Sequence, residues 1–212
     1  RCSNASKTLR ETVNEEGNKK TMIYFFSDNH WNEPRITPEF NPFFRPFKSV
    51  TGQNEFMLSA INSIIKEDDE LYHLGDVSID VSGIEFMDRI VCKNRTLILG
   101  NYDVDIPEKM PMLMRAFNDR VFETFDLPLP DGTTIHMNHY PTKAVNDKFN
   151  IVGHVHGLWK VQPNMVNVGV DAWHFLPVSM DQILFVRNAI EKHYDANVFP
   201  CINKVENEPA LF

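Results

Sequence analysis

Side chains that can bind a divalent metal ion recur directly after apolar stretches of this 212-residue chain. They are Asp, Asn and His, whose oxygen and nitrogen atoms are hard or borderline ligands suited to Mn, Fe, Zn and similar ions. The segments that carry them are Asp28-Asn29-His30, Gly75-Asp76, Gly100-Asn101-Tyr102-Asp103, Asn138-His139-Tyr140-Pro141 and Gly153-His154-Val155-His156-Gly157. One such segment alone is more often a turn, but five in this order predict a metal site.

The first half of the chain has the pattern of strands that alternate with helices. Met22–Ser27, Asp69–Leu74 and Thr96–Leu99 are short apolar runs typical of buried strands. Between them, Asn54–Lys66 places its apolar residues on one helical face, and Gly83–Ile90 indicates a short helix. This alternation predicts βαβ units, and in such sheets ligands bind beyond the carboxyl ends of the strands.

The second half of the chain is richer in strands. Val121–Leu129 and Thr133–Met137 flank Asp131-Gly132, which is a strong hairpin signal. Ile151-Val152 and Met165–Val170 indicate two further short strands. We therefore expect an α/β domain with a mixed or two-layer sheet.

In their order along the chain, these segments resemble the calcineurin-like metallophosphoesterases. That family has Asp-x-His, Gly-Asp, Gly-Asn-His followed by Asp or Glu, a later His, and Gly-His-x-His. The resemblance runs from about Met22 to Asp181 and is greatest to small single-domain phosphoesterases of bacteria and phages. Further similar segments are Tyr72-His73-Leu74-Gly75-Asp76, Leu97-Ile98-Leu99-Gly100-Asn101, Asn167-Val168-Gly169-Val170-Asp171 and Arg45-Pro46-Phe47. The resemblance implies an α-β-β-α sandwich, in which two mixed sheets are flanked by helices.

The resemblance also implies a site for two divalent ions and a hydrolytic function. One ion would be bound by Asp28, His30 and His156. The other would be bound by Asn101, His139 and His154, with Asp76 bridging both. A hydroxide that bridges the ions would attack a small phosphoester or nucleotide, and the ligand set suits Mn, Fe, Zn, Ni or Co.

One position departs from the family pattern. Tyr102 stands where the family usually has a His that protonates the leaving oxygen or stabilises the transition state. A phenol, with an ordinary pKa near ~10, is a weaker acid at neutral pH than an imidazole, with one near ~6.5. Tyr102 therefore favours phosphodiesters, or substrates with good leaving groups, over general phosphomonoesters.

Other residues near the motifs are candidates for catalysis or substrate binding. Asp103 is expected to orient a neighbouring group, and Arg45 to clamp a substrate phosphate. Asn101, Tyr102 and His174 are the remaining candidate substrate contacts. The proline-rich loop after the first motif carries aromatic residues that either stack on a base or pin the loop to the core, namely Trp31, Phe40, Phe43, Phe44 and Phe47. The histidines interpreted as structural or surface residues are His73, His136 and His193.

Composition argues against several other classes of protein. Lys and Arg number 21 and Asp and Glu 29, a formal net charge of −8, which does not suit a protein that coats long nucleic acids. No apolar run approaches the ~18 residues of a membrane span. Cys2, Cys92 and Cys201 predict neither a disulfide framework nor a Cys-type zinc site, and they favour a reducing compartment, the cytoplasm. Residues 1–21 are polar without a period, which predicts a mobile tail before a single domain over 22–212.

Three alternatives from other enzyme classes do not fit the sequence, and one non-enzymatic alternative stays open. Metallo-β-lactamase-like hydrolases follow His-x-His with Asp-His, whereas here Gly157-Leu158 follows. The chain has neither the Gly-x-Ser-x-Gly of a serine hydrolase nor a phosphate-binding Gly-x-x-x-x-Gly-Lys loop. A non-catalytic binding scaffold on the same fold remains possible, as do several substrates: cyclic nucleotides, dinucleotides, short oligonucleotides and small phosphodiesters.

Overall fold

The computed structural model describes residues 21–36 and 45–193. Its α-helices are α1 (Val50–Ile64), α2 (Lys109–Ala116) and α3 (Met180–His193). Its strands are β1 (Ile23–Phe26), β2 (Glu70–His73), β3 (Asn94–Ile98), β4 (Val121–Phe122), β5 (Thr124–Pro128), β6 (Thr134–Asn138), β7 (Phe149–Val152), β8 (Val161–Gln162), β9 (Met165–Asn167) and β10 (Val178–Ser179). All but Thr21 of the predicted tail lies outside the described residues, as do Phe40, Phe43 and Phe44 of the predicted loop.

The strands form two mixed sheets. In the first, with the order β10-β1-β2-β3-β4, strands β1 to β4 are parallel and β10 is antiparallel to β1. In the second, with the order β5-β6-β7-β9-β8, strands β6, β7 and β9 are parallel and the two outer strands are antiparallel to their neighbours. With the helices packed against them, these sheets confirm the predicted arrangement of two mixed sheets flanked by helices.

Strand β1 is buried on both of its faces. Phe25 and Phe26 are adjacent and fully buried, yet they belong to different hydrophobic clusters because successive side chains of a strand point to opposite faces. Phe26 packs in the cluster that α1 and α2 form on the first sheet, which includes Met57 and Leu113. Phe25 packs in the cluster between the two sheets, which also receives Ile183 of α3. Burial on both faces explains why the sequence of β1 is apolar without alternation.

The predicted strand Val121–Leu129 is in fact two strands that belong to different sheets. β4 pairs with β3, whereas β5 pairs with β6 across the predicted Asp131-Gly132 turn. The chain passes from one sheet to the other at the exposed Glu123. The sequence carries no signal for this break, because no Gly or Pro marks it and the apolar residues continue across it.

Two helices were not predicted from the sequence. α2 contains Pro111, but that proline lies in the first turn, where its missing N–H has no helical acceptor to lose. In α3, Ile183, Val186 and Ile190 pack on the cluster between the sheets at helical spacing, a pattern that the sequence itself contains. Among the described residues, no helix is long and apolar enough to cross a membrane.

Candidate metal centre

The predicted ligands lie on tight turns at the carboxyl ends of strands. Asp28 and Asp76 follow β1 and β2 and have positive φ angles of 59° and 58°. The two turns are joined, since the N–H of Asp28 donates to the carbonyl of Gly75 and that of His30 to the carbonyl of Asp76, at 3.0 and 3.1 Å. Gly75 itself has φ +90°, and a Cβ atom there would lie 2.7 Å from Nδ1 of His139. Close packing of these turns therefore requires glycine at this position.

Left-handed backbone is shared by five of the seven predicted ligands. His30, His154 and His156 also have positive φ angles, of 48°, 73° and 51°. Non-glycine residues rarely adopt this conformation, which costs of order 1 kcal/mol or more and is concentrated at functional sites. The strain indicates that the positions of these side chains matter more than the local stability of the turns.

A first group of ligand-type atoms consists of Asp28, His30 and His156, whose atoms lie within 4.8 Å of one another. The rings of His30 and His156 stack with centroids 5.0 Å apart. Asp28 is fully buried, and its carboxylate accepts hydrogen bonds from Ser27 Oγ at 2.5 Å and from the backbone N–H of His154 at 3.0 Å. These bonds fix the carboxylate in a position where it faces the two rings.

A second group consists of Asp76, His139 and His154, again within 4.8 Å of one another. Asn101 adjoins it, because its Oδ1 lies 3.3 Å from His139 Nε2 and 3.2 Å from His154 Nδ1. His139 Nδ1 donates to the carbonyl of Leu74 at 2.7 Å, so Nε2 of a neutral ring presents its lone pair to this group. Four side chains thus converge, and they are those predicted for the second ion and its bridging carboxylate.

Asp76 lies between the two groups. Its Oδ2 is 3.4 Å from His30 Nε2 in the first group and 3.5 Å from His139 Nε2 in the second. Burial raises the pKa of Asp76, but the adjacent rings of His139 and His30 outweigh it and lower that pKa. Burial lowers the pKa of His139, but the Asp76 hydrogen bond and the charge of Asp28 raise it to about 9. The buried carboxylates therefore require nearby positive charge, from protons on histidines or from cations.

The donor set fits divalent cations. Both ring nitrogens of His30 are buried and make no hydrogen bond with any described residue, although Nε2 lies 3.4 Å from Asp76 Oδ2. A buried imidazole without hydrogen bonds is costly, and a metal ion would remove that cost by taking one nitrogen as a ligand. Carboxylate, amide and imidazole ligands together suit the borderline ions Mn, Fe, Co, Ni and Zn.

Asp171 supports the first group and was missed as a functional residue. Its Oδ2 lies 2.8 Å from His156 Nδ1, and its Oδ1 accepts from Arg45 Nε at 2.7 Å. Burial raises the pKa of Asp171, but the bond to His156 and the charge of Arg45 outweigh it and hold that pKa at about 2. A carboxylate behind a ligating histidine fixes its ring and raises its basicity. The similarity of Asn167–Asp171 to family sequence was the signal that could have identified it.

The predicted role of Arg45 as a phosphate clamp is wrong. Its side chain is fully buried, and all five of its N–H donors are in use. Besides Asp171, it donates to the carbonyls of Asp28 and Asn29 at 2.6 and 2.8 Å, and it contacts the sulfur of Met57. Arg45 therefore holds the backbone of the first motif in place and presents no donor to a substrate.

Tyr102 and Asp103 occupy the turn after β3. Asp103 accepts hydrogen bonds from the backbone N–H groups of Gly100, Asp76 and Val77 at 2.8 to 2.9 Å, so it joins the turns after β2 and β3. Burial, and then the charge of Asp76, raise its pKa. The N–H of Tyr102 donates to Asp76 Oδ1 at 2.9 Å, and its ring contacts that of His30 edge-on at 4.8 Å. Asp103 thus positions backbone, whereas Tyr102 borders the candidate metal centre.

Lys109 holds the backbone of the same turn, and it is not among the candidates predicted from the sequence. It is buried, and its Nζ donates to the carbonyls of Tyr102 and Ser78 at 2.6 and 2.8 Å and to Asp105 at 2.8 Å. All three of its donors are therefore used in holding the backbone.

The remaining candidates lie apart from the two groups. His174 is exposed and lines a separate pocket of 360 Å³ with Met22 and Tyr24, at the opposite end of β1, so the structure does not bring it to the ligand groups. Trp31 is fully buried and stacks on Phe86 at 4.9 Å, which pins the loop to the core and leaves no face for a base.

The two other histidines interpreted as structural have local partners. His73 is fully buried, its Nε2 lies 2.9 Å from Asn29 Oδ1, and burial lowers its pKa to about 3. His136 pairs with Asp126 at 2.7 Å on the outer face of the second sheet. Phe47 packs against Phe175 at 5.1 Å.

Comparisons with known proteins agree with the fold. No model of a protein family matches the chain. An uncharacterised protein of Methanocaldococcus jannaschii is 25% identical over 173 residues, which cover 76% of this chain and 89% of that protein. A protein of unknown function from Aquifex aeolicus superposes with a TM-score of 0.61 at 23% identity, covering 78% of this chain and 99% of that one. The chain therefore shares its fold with the Aquifex protein.

Two solved structures of lower similarity are a phosphodiesterase and a predicted phosphoesterase. The first, from an archaeon, has a TM-score of 0.43 at 15% identity, over 70% of this chain and 82% of its own. The second, from Streptococcus pneumoniae, has a TM-score of 0.35 at 14% identity, over 70% of this chain and 71% of its own. At such scores neither likeness carries an inference about the activity of this chain.

Proposed function

We propose that this chain is a metal-dependent phosphoester hydrolase that uses two divalent ions and prefers phosphodiesters to phosphomonoesters. The observation that supports it best is the position of Asp76, whose Oδ2 lies 3.4 to 3.5 Å from a histidine of each ligand group. Two adjacent cations repel each other, and a shared carboxylate is the group that screens this repulsion.

Seven side chains would hold the two ions. They are Asp28, His30 and His156 for one, Asn101, His139 and His154 for the other, and Asp76 for both. When bound, such ions polarise phosphoryl oxygens and make water nucleophilic at neutral pH. The chain has a formal net charge of −8, so the positive charge of the bound ions would be confined to this one edge of the sheet. Such a local positive charge suits a small phosphoester or nucleotide.

The other residues of the centre set the orientation of these ligands. Asp171 holds the ring of His156, the carbonyl of Leu74 holds that of His139, and Asp103 holds the backbone of Asp76. Fixed ligands cost no reorganisation during the reaction, which is how a preorganised site lowers a barrier. Tyr102 places a phenol where the resembling family has an imidazole, so we infer that esters with stable leaving groups react best.

Removal of metal is expected to destabilise the fold. A ligand that binds only the native state at about 100 times its Kd adds about 2.7 kcal/mol, which is about 5–10 °C in Tm for a chain of this size. We expect dialysis against a chelator to lower Tm by that amount, and Mn²⁺ to restore it. Elemental analysis of the protein as purified should find about two ions per chain. An unchanged Tm together with an absence of bound metal would contradict the proposed centre.

The activity itself is tested with a panel of phosphoesters in Mn²⁺, Ni²⁺ or Zn²⁺. We expect hydrolysis of bis-p-nitrophenyl phosphate to exceed that of p-nitrophenyl phosphate by at least about 10-fold, because a diester with a good leaving group needs least proton donation. A strong preference for the monoester would contradict the diester assignment. Metal binding without hydrolysis of any ester would instead support the non-catalytic scaffold.

A further inference from the structure

Arg35 is an exposed cation whose side chain is nevertheless held in one orientation. Its side chain is 58% exposed, but its Nε and Nη2 donate to the two carboxylate oxygens of Glu33 at 2.8 and 2.6 Å. The backbone N–H of Arg35 also donates to Glu33, at 2.9 Å. Glu33 is itself almost completely buried, and among the described residues Arg35 alone donates to its carboxylate. A buried carboxylate committed to one surface arginine indicates that the direction of that guanidinium matters.

The fixed guanidinium reaches the border of the candidate metal centre through Tyr102. Nη2 of Arg35 donates to the Tyr102 hydroxyl at 2.9 Å, and its Cζ lies 5.6 Å from the centroid of that ring. The same ring contacts His30 at 4.8 Å, and the N–H of Tyr102 donates to Asp76. Tyr102 thus connects a permanent positive charge to the residue that lies between the two ligand groups.

The pair retains hydrogen-bond donors for a ligand. Because the Tyr102 oxygen accepts from Arg35, its own hydrogen remains available. Nη1 of Arg35 makes no hydrogen bond with any described residue, and the side chain is 58% exposed. A guanidinium keeps its proton at neutral pH, so these donors stabilise negative charge and do not transfer a proton.

On the basis of the proposed function, we propose that Arg35 and Tyr102 together receive the leaving oxygen of a phosphodiester and stabilise it as an anion. Water forms the new P–O bond and gives up a proton to solvent. The bond from phosphorus to the leaving oxygen breaks, and its electron pair stays on that oxygen. The oxygen is held by the phenol O–H and Nη1–H donors until it takes a proton from water. The substrate class that follows is a phosphodiester whose leaving group is a stable anion, such as a phenoxide.

A leaving-group series tests this assignment. The substrates are methyl aryl phosphodiesters whose leaving groups run from p-nitrophenol to phenol, assayed with Mn²⁺. We expect Arg35→Met to lower kcat/KM about 10-fold for p-nitrophenol and about 10²-fold for phenol, since the more basic oxygen develops more charge to stabilise. Arg35→Lys should give smaller losses, because it keeps the charge without the planar fork. In Tyr102→Phe, the loss of kcat/KM should likewise be larger for the phenol ester than for the p-nitrophenol ester.

Matched controls separate this role from a structural one. Arg89 is also a half-exposed arginine, with bidentate bonds to Glu55 and its guanidinium 5.1 Å from the Phe86 ring, so Arg89→Met should change no rate. Because Arg35→Met leaves Glu33 buried without its partner, Glu33→Gln/Arg35→Met removes both charges and keeps the test valid if the single variant is unstable. Metal content should be the same in all variants.

Two results would overturn the assignment, and they differ from each other. If Arg35→Met lowered kcat/KM equally for all substrates of the series, or not at all, Arg35 would only anchor its loop. The proposed hydrolase function would not be affected by that result. A wild-type protein that binds metal but hydrolyses none of these esters would overturn the proposed function, and this assignment with it.

Discussion

Asp76→Asn is expected to reduce hydrolysis of bis-p-nitrophenyl phosphate by roughly 10³-fold. Asparagine matches aspartate in shape, and so it preserves the acceptor for the Tyr102 N–H, but it removes the charge that lies between His30 and His139. Without that charge two cations cannot be held side by side. Elemental analysis should therefore show fewer than two ions per chain in the variant.

Asp69→Asn is the matched control for this variant. Asp69 is also almost completely buried, and it accepts hydrogen bonds from the backbone N–H groups of Met22 and Lys66 at 3.0 and 2.8 Å. It lies at the opposite end of β2 from Asp76. We expect some loss of stability in Asp69→Asn with normal metal content and normal activity in the folded protein. Unchanged hydrolysis in Asp76→Asn would refute the two-metal mechanism.

Asp171→Asn is expected to have two separate effects. The unfolding free energy should fall by about 3–5 kcal/mol, because Arg45 would remain buried without its counter-charge. Metal affinity of the folded protein should fall about 10- to 100-fold, because His156 would lose the carboxylate that orients it. Denaturant unfolding measures the first effect, and isothermal titration calorimetry with Mn²⁺ measures the second.

Asp126→Asn is the control for Asp171→Asn. Asp126 also joins a histidine and a cation, with His136 and Lys148 both at 2.7 Å, but it is half-exposed and far from the ligand groups. An exposed network of this kind contributes only about 0–1 kcal/mol, so this variant should keep both stability and metal affinity. If Asp171→Asn behaved like Asp126→Asn, the proposed support of His156 would be wrong.

The predicted ligands could be placed from the sequence because their positions depend on local rules. Asp28, Asp76 and Asn101 each follow a parallel strand of one sheet, and parallel strands bring their carboxyl ends to one edge. His139 and the His154–His156 segment follow β6 and β7 of the second sheet, which are also parallel. Strand direction thus brings the motifs of each sheet to one edge, and the packing of the two sheets brings the two edges together.

The supporting residues could not be placed from the sequence because their roles depend on contacts across the whole chain. Asp171 and Arg45 are 126 residues apart, and nothing local to Arg45 indicates that its guanidinium is buried. An arginine in a loop is usually solvated, whereas the guanidinium of Arg45 contacts Phe175 and Met57 in the fold. The bond from Arg35 to Tyr102 spans 67 residues and was equally beyond sequence reasoning.

The burial of Phe25 and Phe26 on opposite faces of β1 has a consequence for how the site is lost. Exchange of the Phe25 and Phe26 amide hydrogens with solvent requires both hydrophobic clusters to open, because each cluster covers one face of the strand. Asp28 lies two residues further on, and its N–H is bonded to the neighbouring turn. Asp28 is therefore expected to belong to the slowest-exchanging region of the protein. Its carboxylate should leave the site only when the protein unfolds globally, and not through local fluctuations of a surface loop.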